Sequence, residues 1–168
     1  DSNLGFVNLL LQSLGFDKQP FFFSTTQGIP TIAAVNIWKY MGINALLFYA
    51  GIQSIPKFMY EEGTIDGAGE WQMFRSITLP LLRPVMVFVL VTNIVGSFQI
   101  FDTVTVTTQG GPVDATRVVV FYIVQNAFSL SKFGYAAAMS VILFCMLIVI
   151  TLIQMRVLRG NSSDLASA

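Results

Sequence analysis

Two sets of polar residues stand out from a chain that is otherwise apolar. Glu61, Glu62, Asp66 and Glu70 place four carboxylates within ten positions, interleaved with Phe58, Trp71 and Phe74. Acids alone would suit a solvated loop. Acids set among large aromatics suit a surface gripped by basic groups of another protein. The second set is uncharged. Asn36, Tyr40 and Asn44 recur every four residues and so share one helical face. Asn93 and Ser97 repeat the spacing, followed by Gln99. Amides, hydroxyls and an aromatic ring offer the hydrogen bonds that a neutral, hydroxyl-rich solute needs. They serve equally well to hold one helix against another.

Other chemistries find little material. The chain has no histidine and a single cysteine, Cys145, inside an apolar run. A disulfide framework or Cys/His metal site is therefore impossible within it, and Cys145 reads as a small packing residue. No catalytic residue, metal ligand or cofactor site is expected. A membrane enzyme would need a nucleophile with its base, a metal cluster or paired carboxylates held inward. The net charge is zero and no basic stretch could follow a phosphate backbone, which argues against nucleic acid.

The elements that must position these residues are membrane helices. Of the 168 residues, 54% are hydrophobic and 11% charged, against roughly 25% charged in soluble domains. Mean hydropathy is +0.69. Too little polar surface remains to cover a water-soluble globule. Phe133–Met155 is a run of 23 uncharged residues, Pro84–Phe101 one of 18, and Tyr40–Pro56 one of 17. Roughly 20 residues cross the hydrocarbon core, so spans are expected near 31–53, 80–104 and 134–157. Three spans make a thin bundle, and an all-α, polytopic transmembrane fragment or a subunit that needs partners is expected.

The connections divide accordingly. Residues 1–30 read as an external lead-in with an interfacial helix, Leu4–Leu14, stopped by Asp17-Lys18-Gln19-Pro20; the Phe21-Phe22-Phe23 patch suits a membrane interface. Residues 54–78 read as two short helices broken at Gly67. Residues 105–132 form a second connection, with a turn at Gln109-Gly110-Gly111-Pro112 and a short helix over Thr116–Phe128. A small polar tail follows at 161–168. Lys57, Arg75, Arg83, Arg156 and Arg159 fall on one side of the membrane against Lys18, Arg117 and Lys132 on the other. The positive-inside rule puts 54–78 and the C-terminus in the cytoplasm. Lys39 and Asp102 are charges near or inside the apolar zone; Lys39 is placed to snorkel toward the outer face and Asp102 to sit at the outer end of its span, and neither has an evident partner in the sequence.

Glu61-Glu62-Gly63-x-x-Asp66-Gly67-Ala68, followed by Phe74-x-x-Ile77-x-Leu79-Pro80, resembles the cytoplasmic EAA signature of binding-protein-dependent ABC importer permeases. Asn36-Ile37-Trp38, Gln53-Ser54-Ile55-Pro56, Leu79-Pro80-Leu81-Leu82-x-Pro84, Gly110-Gly111-Pro112 and Phe133-Gly134-Tyr135-Ala136 look like the sugar-transporting branch. The resemblance covers nearly the whole chain and implies the C-terminal part of a permease with a MetI-like fold, in a bacterial inner membrane. It implies a second permease subunit, two ABC ATPase subunits that bind the ATP, an external sugar-binding protein, membrane lipid and a sugar as partners. The coupling residues would be Glu61, Glu62, Gly63, Asp66, Gly67 and Ala68, with Glu61 meeting a basic group of the ATPase and Gly67 forming the bend. Substrate contacts would fall in the first two spans, where Asn36, Tyr40, Asn44, Asn93, Ser97 and Gln99 are the candidates. Glu62 and Gly63 depart from the family, where alanines are usual, and glycine there weakens a helix by about 1 kcal/mol. A permease for a polyol or glycerol phosphate is the alternative within the class; a structural anchor would make the ordered motif superfluous.

Overall fold

The computed structural model describes residues 5–159. The tail expected at 161–168 and the start of the lead-in lie outside the described residues. All the regular structure described is helical: α1 (Phe6–Ser13), a 3₁₀ turn at Phe21–Phe23, α2 (Gly28–Gln53), α3 (Lys57–Ile65), α4 (Glu70–Met73), a π turn at Phe74–Thr78, α5 (Leu79–Leu81), α6 (Arg83–Phe98), α7 (Asp102–Thr107), α8 (Val119–Val124) running on through a π turn at Gln125–Ser129, and α9 (Phe133–Arg159). They form two compact units. One gathers the described part of 1–39 with 98–140, and the other 40–97 with the described part of 141–168.

In the first unit, α1 is tied to the segment that follows it. The buried Asn8 donates from Nδ2 to the Gln19 carbonyl at 2.8 Å and accepts the Gln19 N–H at 3.0 Å. One side chain thus satisfies both backbone groups of a residue that no helix serves. Ile32, Val104, Thr116, Asn126, Ala127 and Ala136 are among the buried positions around which this unit closes. Its long connection departs from the sequence expectation. The helix expected from Thr116 begins at Val119, because Thr116 is drawn into the preceding turn: its hydroxyl donates to Gly111 O at 2.7 Å and lies 2.7 Å from Thr108 Oγ1. Left-handed residues Gln109, Gly110, Val113 and Asp114 shape that turn.

In the second unit, Ile55, Leu82, Val89 and Leu147 are buried. Helical winding continues from α4 through a wide π turn at Phe74–Thr78, then α5 and Leu82, into α6. The sequence dictates this irregularity. Pro80 and Pro84 have no N–H to give and would crowd the carbonyls four residues back, which disturbs a regular α-helix.

The helix expected over 80–104 is interrupted: α6 ends at Phe98 and α7 starts at Asp102. Phe101 leaves the helical conformation (φ −132°, ψ −56°), and Asp102 supplies an acid to the first turn of α7, where it suits the helix dipole. Arg83–Thr107 and Phe133–Val157 are nevertheless long and apolar enough to cross a membrane, and only 6% of the apolar stretch of each is buried within the chain. The core helix of a soluble protein would be mostly buried. Val141, Ile142, Phe144, Val149, Leu152 and Ile153 of α9 are all exposed, a contiguous apolar surface that water would not tolerate. At 26 residues, α2 is about 39 Å long, but Asn36, Lys39 and Asn44 dilute its apolar character.

Candidate functional site

The carboxylate cluster sits on a hairpin of α3 and α4. Pro56, in extended conformation (φ −62°, ψ 134°), stands at the N-terminal cap of α3. The hairpin turns at Gly67, whose φ of +75° lies in the left-handed region that side chains disfavour. Its N–H donates to Thr64 O at 3.0 Å, and the Ala68 N–H donates to Gly63 O at 2.9 Å. These two bonds close the end of α3 as a Schellman motif, with glycine at the position that requires it.

Gly63 has a second use. A Cβ there would lie 3.1 Å from Ile77 Cδ1 and 3.5 Å from Met73 Cγ. Its absence lets α3 lie against the chain that returns, so the helix-weakening glycine is offset by close packing. Tyr60 Oη is 2.9 Å from Oγ1 of the buried Thr78, which fastens α3 to the π turn. The outer surface is mixed. Glu61, Glu62, Asp66 and Glu70 are exposed. So are Phe58, Ile65, Trp71 and Phe74, with the last two rings stacked at 5.5 Å between centroids. The hairpin is thus pinned at its turn and at its base while it offers both carboxylates and rings outward.

The uncharged polar residues divide between the units. In the second unit Asn44 and Asn93 meet as a reciprocal amide pair, each Nδ2 donating to the other's Oδ1 at 3.1 Å, and Asn93 also donates to Val89 O at 2.7 Å. Ser97 is exposed and donates to Ile94 O at 2.7 Å. Tyr40 is exposed. In the first unit Asn36 donates to Ile32 O at 2.9 Å and accepts from Thr103 Oγ1 at 3.3 Å. Gln99 is exposed in the break between α6 and α7. The amides of Asn36, Asn44 and Asn93 therefore act in interhelical bonding, yet each keeps hydrogen-bonding capacity to spare.

One correction concerns charge. Lys39 and Asp102, which have no evident partner in the sequence, are each other's partner: Nζ lies 3.0 Å from Oδ2. Their 63-residue separation hides the pair from any local reading. Thr103, also invisible beforehand, adds the Asn36 bond one helical turn away. Cys145 is an exposed thiol on α9. No cluster of metal-ligating residues occurs among the described residues.

Helices whose apolar faces stay uncovered, with four carboxylates gathered on one hairpin, define an integral membrane subunit. The chain belongs to the family of binding-protein-dependent transport system inner membrane components, whose model matches residues 5–161. It is 37% identical over 155 residues to the sulfoquinovosyl glycerol transport system permease protein of Agrobacterium fabrum, covering 92% of this chain and 50% of that one. It is 36% identical over 151 residues to the arabinooligosaccharides transport system permease protein of Bacillus subtilis, covering 89% of this chain and 48% of that one. An sn-glycerol-3-phosphate transport system permease protein of Escherichia coli is 36% identical over 158 residues, covering 94% and 53%. The chain spans about half the length of these relatives. A crystal structure of a bacterial ABC transporter involved in import of the acidic polysaccharide alginate superposes with a TM-score of 0.83 at 27% identity, covering 94% of this chain and 55% of that one. The alginate transporter in complex with its alginate pentasaccharide-bound periplasmic protein gives 0.80 at 27% identity, covering 90% and 54%. The fold is that of ABC importer permeases.

Proposed function

We propose that this chain lines part of the translocation pathway of an ATP-driven sugar importer and receives force through the α3–α4 hairpin. The observation that carries the proposal is mechanical. The hairpin is fixed to itself at Gly67 and to its base by Tyr60 and Thr78, and helical winding runs from Glu70 into α6. Displacing the hairpin displaces the membrane helix. Its exposed carboxylates are poorly suited to an anionic cytoplasmic leaflet and well suited to basic groups of an ATPase subunit. Its exposed rings would fill apolar hollows beside them.

In this reading residues 54–78 and the C-terminus face the cytoplasm. Glu61 meets a basic group of the ATPase, Glu62 and Asp66 flank it, and Gly63, Gly67 and Ala68 form the packed turn. ATP is bound and hydrolysed by two partner ATPase subunits, and this chain contributes no catalytic group. A second permease completes the pathway, and an external sugar-binding protein delivers the solute. Asn36, Tyr40, Asn44, Asn93, Ser97 and Gln99 are the candidate contacts for sugar hydroxyls, the amides through the donors and acceptors their mutual bonds leave over. A neutral sugar is favoured over glycerol phosphate because the cation of α2, Lys39, is already paired.

The test is purification from the native membrane in mild detergent. An ATPase should accompany the permease, and the Glu61→Lys, Glu62→Lys double variant should lose it while still inserting. In a Cys145→Ala background, Glu62→Cys should be labelled only from the cytoplasmic side. Labelling from outside would defeat the proposal, as would an ATPase whose retention ignores the charge reversal.

A further inference from the structure

Lys39 is the one charge in α2, and Asp102 the one charge in α7. Both stand in helices flanked by apolar sequence, and they meet at 3.0 Å. Their side chains are 47% and 74% exposed, so the pair is not packed away inside its own unit. A long ammonium side chain such as that of Lys39 can reach a membrane surface, but the short carboxylate of Asp102 cannot reach far, and charges held within apolar sequence turn toward a water-filled cavity or a protein neighbour. Beside the pair, Thr103 Oγ1 reaches Asn36 Oδ1 at 3.3 Å, so one polar strip holds an ammonium, a carboxylate, an amide and a hydroxyl. Asn36 and Lys39 are one helical turn apart, on the same side of α2.

From this strip we infer that Lys39 and Asp102 form a self-neutralised charge pair on the water-filled face of α2 and α7, setting the pathway's preference for uncharged over acidic solutes. The inference rests on the importer reading for the kind of solute concerned. Its physics is simple. Opposite charges in contact cancel at a distance while each still offers hydrogen bonds, which suits a sugar hydroxyl. Removing the carboxylate leaves a bare ammonium that attracts acidic sugars, and removing the ammonium leaves a carboxylate that repels them. Relatives whose names specify a glycerol phosphate, a sulfoquinovosyl glycerol or an arabinooligosaccharide indicate that one scaffold meets both acidic and neutral cargo. A position that sets local charge is therefore one such a scaffold can use.

The experiment needs no cargo. In the assembled, membrane-embedded transporter carrying Cys145→Ala, Asn36→Cys places a thiol one turn from Lys39. Its modification rates by an anionic sulfonatoethyl and a cationic trimethylammonioethyl methanethiosulfonate are then compared. Both reagents should reach it. Asp102→Asn should raise the anionic-to-cationic rate ratio on the order of tenfold. Lys39→Gln should lower it by a similar factor, and the double variant should restore it. A thiol that neither reagent reaches, or a ratio that neither charge moves, overturns the inference. Should Asn36→Cys impair assembly, Thr103→Cys on the facing element gives the same readout. Because neither sugar nor ATP hydrolysis enters the measurement, its failure leaves the importer reading standing; loss of the ATPase partner would strike that reading alone.

Discussion

Replacing Gly67 tests whether the hairpin turn transmits force. The residue sits at φ +75° with nothing within 4 Å of a Cβ built on it, so a side chain meets no neighbour and the backbone angle alone sets the cost. For alanine that cost is roughly 1–2 kcal/mol; asparagine tolerates the left-handed region better. Proline cannot reach the angle at all, since its ring holds φ near −65°. It also lacks the N–H that donates to Thr64 O, a bond whose net value is about 1 kcal/mol. A loss of 1–2 kcal/mol changes the population of the closed hairpin by roughly 5–30-fold. The assay is ATP hydrolysis stimulated by loaded binding protein in reconstituted transporter, with membrane-fraction yield as the control for insertion. Coupling should fall in the order glycine, asparagine, alanine, proline, with Gly67→Pro inserted but uncoupled. Full coupling in the proline variant would refute the reasoning, because no Schellman turn can form there.

Three further perturbations follow from other contacts. Asn93→Leu and Asn44→Leu each leave one amide without its partner and should cost about 0.6–1.7 kcal/mol, read as a lower melting temperature in detergent. The double leucine variant should recover part of it, and sugar uptake should fall in all three. Gly51→Ala sets a Cβ 2.8 Å from Leu82 Cδ2 and 2.9 Å from Val85 Cγ2; overpacking of this kind costs about 1–3 kcal/mol, measurable by the same melting. Tyr60→Phe strips the hydroxyl that meets buried Thr78, at about 1–3 kcal/mol, and should loosen the hairpin base, detected as faster amide exchange across Lys57–Ile65.

Long uncharged runs made the helices legible as helices: the run expected at 134–157 lies in Phe133–Arg159 and that at 31–53 in Gly28–Gln53, and of the two it is the former that is long and apolar enough to cross a membrane. The bend at Gly67 was legible too, since Asp-Gly between two amphipathic stretches leaves the chain few other ways to turn. The break after Phe98 was not. Gln99, Ile100 and Phe101 carry no proline or glycine, and the new start at Asp102 goes with bonds to Lys39 and, through Thr103, to Asn36, more than sixty residues away. Polar periodicity found Asn44 and Asn93 but could not tell that they would pair with each other. Thr116 was lost to the helix because its hydroxyl found two oxygens in the turn before it. Local pattern reads elements whose reasons are local, and these reasons were distant.

The wide turn ahead of Pro80 carries a consequence for aim. A π turn accommodates one residue more than ordinary winding, and one residue corresponds to about 100° of rotation around a helix. The bearing of Trp71 and Glu70 relative to the membrane face of α6 is therefore fixed by how many residues lie between them, far more than by which ones. Exchanges along that stretch leave the hairpin pointing at its target, whereas a change of length would swing it a quarter-turn away.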